Sequence, residues 1–190
     1  MFRLMSNMDC KTFILLYKAL VRPHLEYANS VWSFYKKSDR EQIEKIQKRA
    51  TKLVISLRKL PYKNRLISLQ LHTLKYRRLR GDMIKVFKIV NDIYDEKVAP
   101  ILRFNKTSVT RGNRFKLYNQ TFIHNFGKFF FSARIVNIWN SLPNWVVDVQ
   151  SVDLFKARLD RFWAEQEVMY DWKSELAGTG DRSEYVKKSD

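Results

Sequence analysis

The sequence predicts a mainly α protein. A helical bundle is expected over residues 1–92. A smaller α+β C-terminal lobe with a short hairpin and two helices follows over 93–164, and a mobile tail over 165–190. Three observations predict this. Apolar residues recur at i, i+3, i+4 and i+7 in successive windows, the period of one helix face. Capping residues stand in front of those windows. The 190 residues hold only 5 Gly and 4 Pro, too few for many long loops, while 45% are hydrophobic, enough for a sizeable core.

In chain order, Ser6-Asn7-Met8-Asp9 has the form of a capping box. The helix after it carries Phe13, Leu16, Tyr17, Leu20 and Val21 on one face. Pro23 removes a donor and disfavours helix at the residue before it, so a kink or restart is expected there. The next segment carries Leu25, Tyr27, Val31 and Trp32. Ser38-Asp39-Arg40-Glu41 reads as a second capping box, opening a helix with Ile43, Ile46, Ala50, Leu53 and Val54 inward. Leu57 to Asn64 is an elbow marked by Pro61, with a short helix holding Leu66, Ile67 and Leu69 behind it. Thr73 is the expected N-cap of a long helix with Tyr76, Leu79, Met83, Val86, Phe87 and Val90 on its apolar face. Gly81 in its middle costs about 1 kcal/mol against Ala and suggests a close backbone approach.

Asn91 to Asn105 reads as a connection with a helical turn around Val98 to Leu102. Thr110-Arg111-Gly112 suggests a turn. Arg114 to Tyr118 alternates polar and apolar, as a short strand paired with Thr121 to His124 would. A dense apolar helix is expected from Phe129 to Leu142, with Phe130, Ile135, Ile138 and Trp139, ending at Pro143. Ser151 should cap a last helix with Leu154, Phe155, Leu159 and Phe162 inward. Beyond it the pattern fades, and residues 165–190 carry seven acids and four bases.

The charge is the strongest functional signal. The net charge is +17, and between Arg40 and Val90 there are 15 Lys or Arg against three acids, Glu41, Glu44 and Asp82. Such an excess points first to nucleic acid, since each neutralised phosphate releases a counterion. Lys45, Lys48, Arg49 and Lys52 form a stripe at i, i+3, i+4 and i+7. The bland alternative is a solvated face, supported by Glu41 and Glu44 standing four residues before Lys45 and Lys48. Arg49 and Lys52 have no such acid, so like charges repel there unless a polyanion covers them. Arg77, Arg78 and Arg80 form a second basic group, and Arg58, Lys59, Lys63 and Arg65 keep the elbow basic. Asp82 reads as a salt-bridge partner of Arg78 or Lys85.

The residues give no ground for catalysis. There is no Gly-rich phosphate loop, no His-Glu-x-x-His and no G-x-S-x-G. His24, His72 and His124 are far apart, and Asp82, Asp92, Asp95 and Glu96 read as caps and salt bridges rather than converging metal ligands. No cofactor and no metal is expected. The single Cys10 allows no intrachain disulfide and fits a reducing compartment, nuclear or cytoplasmic, and no secretory signal is read at the N-terminus. A membrane partner is not expected, because the basic segments lack Trp- and Phe-rich opposite faces.

The run Leu16 to Tyr27 (LYKALVRPHLEY), with Val31-Trp32, resembles the region downstream of the palm in jockey-like non-LTR (LINE-type) retrotransposon reverse transcriptases. So do Ile43 to Lys52 (IEKIQKRATK), Arg77 to Ile84 (RRLRGDMI), Thr110-Arg111-Gly112, Trp139 to Pro143 (WNSLP) and Phe155 to Asp160 (FKARLD), in the family's order. The resemblance implies that 1–92 is thumb-like and holds a primer–template duplex behind an active site. In that family the palm's aspartates bind two metals, and the palm's aromatic-x-Asp-Asp motif is missing here. The expectation is therefore a non-catalytic nucleic-acid-binding remnant of an RNA-directed DNA polymerase, gripping RNA, DNA or hybrid non-specifically through phosphates. The expected contacts are Lys45, Lys48, Arg49, Lys52, Arg77, Arg78 and Arg80. Two other readings stand beside it: a subunit or fragment of an active reverse transcriptase whose palm is supplied by another chain, and a protein-interaction module.

Overall fold

A computed structural model describes residues 8–27, 37–95, 97, 99–104, 115–119 and 130–179. It is mainly helical. Its helices are α1 (Cys10–Leu16, continued by a π-helical turn Tyr17–Val21), α2 (Arg22–Glu26), α3 (Lys37–Ala50), α4 (Tyr62–Ser68), α5 (Leu74–Val90), α6 (Phe131–Ser141), α7 (Asn144–Val147) and α8 (Val152–Phe162). Contacts divide the chain into two units. The first is residues 1–79 with 167–175; the second is 80–166 with 176–190. The division falls within α5, not at residue 92. Among the described residues no helix is long and apolar enough to cross a membrane.

In the first unit, Asp9 is the N-cap of α1, its carboxylate accepting from the Lys11 and Thr12 amides. The hydrogen bond from the Thr12 side chain pulls its pKa down. The helix thus starts at Asp9 rather than at Ser6, which lies outside the described residues. Pro23 acts as expected. The chain widens into a π turn before it, with Arg22 N–H donating to the Tyr17 carbonyl, and restarts as α2 with the proline in its first turn. Val31 and Trp32 lie outside the described residues. Phe13 and Tyr17 stack and are buried with Ala50, Val54, Leu66, Leu69 and Leu71. Ser38 is already inside α3, its hydroxyl donating to Asp39, so it is not the cap. Pro61 precedes α4, which ends in a Schellman-type cap with Gln70 at φ 50° and the Leu71 amide reaching the Leu66 carbonyl.

Thr73 caps α5 as expected: its hydroxyl accepts from the Tyr76 amide. The same hydroxyl donates to the Val168 carbonyl at 2.6 Å, and the Thr73 amide donates to the Met169 carbonyl. Residues 167–175 are therefore part of this unit's fold, not of a mobile tail; residues 180–190 lie outside the described residues. α5 also ends in a Schellman-type cap, with Asp92 at φ 54° and Ile93 N–H donating to the Lys88 carbonyl. A Cβ built on Gly81 meets nothing within 4 Å, so no close backbone approach explains that glycine.

In the second unit Met83, Val86, Phe87, Ile135, Trp139, Phe155 and Leu159 are buried, with Phe87 stacked on Phe155 at 4.4 Å. Ser151 caps α8 through the Leu154 amide. Leu154 itself is exposed rather than inward, and Phe130 stands exposed before α6 rather than inside it. The expected hairpin is not supported. Among the described residues there is no strand, only an isolated antiparallel bridge between Leu117 and Phe104. Among the described residues the Leu117 backbone is held by a side chain: the Asn140 amide accepts from its N–H at 2.9 Å and donates to its carbonyl at 2.8 Å. Thr121 to His124 and Thr110 to Gly112 lie outside the described residues. In the preceding connection the Asp95 carbonyl accepts from the Ala99 amide; Val98, where the expected turn begins, lies outside the described residues.

Candidate nucleic-acid interface

α3 and the 3-10 turn that follows it (Thr51–Leu53, capped by Val54) have two faces with opposite chemistry. Lys45, Lys48, Arg49 and Lys52 are all exposed. The inward face carries not only Ala50 and Val54 but Glu44, Gln47 and Thr51, all buried, while Ile46 is 39% exposed. The helix is thus rotated from the isoleucine-inward arrangement that the apolar spacing suggests. The buried polar groups find defined partners. Tyr17 Oη donates to Gln47 Oε1 at 2.5 Å, and Gln47 Nε2 donates to Tyr62 Oη and to the His72 carbonyl. Tyr62 Oη donates to Glu44 Oε1 at 2.7 Å, and the Leu74 amide donates to Glu44 Oε2 at 3.1 Å. Glu44 is thus a carboxylate at the N-terminal end of α5, where the helix dipole and an orphan amide favour negative charge.

This hub fixes the exposed face. Because Glu44 turns inward, the expected Glu44–Lys48 pair does not form. Glu41 does pair with Lys45, at 3.5 Å. Among the described residues no carboxylate pairs with Lys48, Arg49 or Lys52. Lys48 instead lies over the Tyr62 ring, 5.9 Å from its centroid. Arg65, counted above with the elbow bases, is only 2% exposed. Its guanidinium donates to the carbonyls of Lys48 and Leu60 and lies over the same ring, which anchors the backbone under the stripe. Arg58, Lys59 and Lys63 remain exposed.

Burial raises the Glu44 carboxyl above its ordinary 4.5, against the opposing pull of the Tyr62 hydroxyl and the Leu74 amide. Burial likewise pushes the Tyr17 and Tyr62 phenols far up, so both stay protonated donors.

The arginines of α5 are placed differently. Arg77, half-buried, makes a two-pronged ion pair with Glu26, which also pairs with Arg22 at 3.3 Å. In the second unit, Arg80 pairs with Asp160 through bonds of 2.6 and 2.7 Å. Arg78 is half-buried beside a cavity of the first unit. Asp82 is clamped by Arg134 through two bonds of 2.9 Å, a partner the local spacing did not suggest. Asp95 accepts from the Lys97 amide, and His72 packs edge-on against Tyr76 and Tyr170. Among the described residues no group of three or more His, Cys, Asp or Glu is placed to hold a metal ion.

No protein-family model matches the chain, and no curated protein or solved structure matches it.

Proposed function

We propose that this chain is a non-catalytic nucleic-acid-binding remnant of a LINE-type retrotransposon RNA-directed DNA polymerase, and that it grips primer–template duplex through phosphate contacts. The observation that carries the proposal is the exposed face of α3 and of the 3-10 turn that follows it: four cations spaced i, i+3, i+4 and i+7, three of them without a carboxylate partner among the described residues, above a buried polar hub. Contacts of this kind position a duplex without reading sequence. The primary contacts are Lys45, Lys48, Arg49 and Lys52, with Arg58, Lys59 and Lys63 extending the basic surface. Arg77, Arg78 and Arg80 stay in the proposal as secondary contacts, because their charge reaches a phosphate only in competition with their neighbours.

The test is a salt titration of binding to a short RNA–DNA hybrid, with anionic vesicles as competitor. A log–log slope of about −3 to −4 is expected for four phosphates. Replacing Lys45, Lys48, Arg49 and Lys52 together with Ala should abolish most of that slope at unchanged helicity. Unchanged hybrid affinity in that variant would sink the proposal.

A second reading, docking onto a palm-containing chain, is favoured by Leu15 and Leu20, apolar and exposed on the first helix. Sedimentation as a clean monomer at high salt, with no association with such a chain, would count against it.

A further inference from the structure

The first unit contains a cavity of about 160 Å³ that the stripe does not enter: none of Lys45, Lys48, Arg49 or Lys52 lines it. Arg40 and Glu44 of α3, Lys75 and Arg78 of α5, and Trp172, Lys173 and Glu175 line it instead, with Ile43 and Leu74 as apolar wall. Four cations thus face two carboxylates, a surplus of two positive charges. Lys75 and Glu175 pair with each other at 2.6 Å, and Lys75 also donates to the Ser174 carbonyl. Both oxygens of Glu44 accept within the hub, from Tyr62 and Leu74. Arg40 is the exception. Its Nε is buried and has no hydrogen-bond partner among the described residues. Trp172 adds an aromatic wall, with the Lys173 ammonium 5.9 Å from its ring centroid.

We infer that this cavity binds a phosphate monoester that carries an aromatic base, the chemistry of a nucleotide 5′ end. A monoester at neutral pH carries close to two negative charges, matching the surplus. Arginine supplies several donors in a planar fork suited to phosphate oxygens, and both Arg40 and Arg78 line the cavity. The base rests against Trp172, since every base has a face that stacks on an aromatic ring. A free mononucleotide and the 5′-phosphorylated end of a strand present the same chemistry.

Calorimetric titration of the full chain with adenosine 5′-monophosphate, adenosine and inorganic phosphate tests the inference without any variant. The monophosphate is expected to bind at least roughly tenfold tighter than either part alone. Arg40→Gln should weaken it about tenfold and Trp172→Leu about fivefold, each checked for retained thermal unfolding; Arg40→Lys should restore part of the loss. The variant lacking all four stripe cations should bind the monophosphate as the parent does, so failure of the stripe proposal and failure of this one are distinguishable. The dinucleotide pApA against ApA separates the sources: a gain from the 5′-phosphate places a strand end in the cavity, and binding of the mononucleotide alone places a free nucleotide there. Either result supports the site. Equal affinity for adenosine and its monophosphate, or undiminished binding in Arg40→Gln, would overturn it.

Discussion

α3 and α5 are both basic helices by sequence, and they use their charge in opposite ways. On α3 Glu44 is drawn inward by Tyr62 and the Leu74 amide, Glu41 pairs with Lys45, and Lys48, Arg49 and Lys52 are left facing solvent. On α5 the acids come from elsewhere in the chain: Glu26 meets Arg77 and Asp160 meets Arg80. Local spacing shows a charge but not its partner. The same run of arginines reads as a ligand grip or as an internal clamp, depending on carboxylates that lie 51 and 80 residues away.

The comparison can be broken or sharpened by substitution. Arg134→Ala should have the largest effect, about 3 kcal/mol in urea unfolding, because it removes both bonds of the clamp on Asp82, which is only 5% exposed. Hybrid affinity should be unaffected at protein concentrations where the variant is folded. Arg77→Ala should cost about 1–2 kcal/mol and change hybrid affinity less than about threefold. A loss of affinity with no loss of stability would place Arg77 with the stripe instead of with the clamps.

Glu44 links the two helices, and its raised pKa sets a sign. The folded state holds the Glu44 proton more tightly than the unfolded chain does. Its contribution to stability is therefore full below the ordinary value of 4.5 and is lost as pH rises through the raised folded value. Glu44→Gln should remove that decline from a series of melts across the window. A decline of the same slope in the variant would mean that another group titrates there. Gly81→Ala, with open space at the Cβ, should stabilise α5 by about 0.5–1 kcal/mol and leave binding alone. Lys48→Ala should move stability least, within about 0.5 kcal/mol, yet flatten the salt slope by roughly 0.9.

What the sequence makes legible follows from where each signal resides. Thr73 and Ser151 announce helix starts because a side-chain cap is a local event. The apolar face of α5 is legible because Met83, Val86 and Phe87 keep helical period and are all buried. The rotation of α3 is not, because Glu44, Gln47 and Thr51 count as outward residues until their partners at Tyr17, Tyr62 and Leu74 are known. The environment of Leu117 is hidden for a similar reason: the alternation around it suggests a strand partner, but the described bonds to its backbone N–H and carbonyl come from the Asn140 side chain. Residues 167–175 escape detection because they hold the fold through the carbonyls of Val168, Met169 and Ser174, groups that every residue type carries. The stripe is legible as a pattern of charge. That Lys48, Arg49 and Lys52 have no carboxylate partner among the described residues, and that a cavity lies beside Arg40, emerges only from the fold.

The bond from Thr73 to Val168 also has a consequence for biosynthesis. It closes a separation of 95 residues, with nearly all of the second unit lying between its ends in the chain. At roughly 5–20 residues per second of synthesis, α5 waits on the order of 5–20 s for the carbonyls that complete its start. During that interval the second unit is translated while the first is still open. The unit whose synthesis begins first is therefore incomplete until most of the second has been made, and any truncation before residue 167 leaves it unfinished.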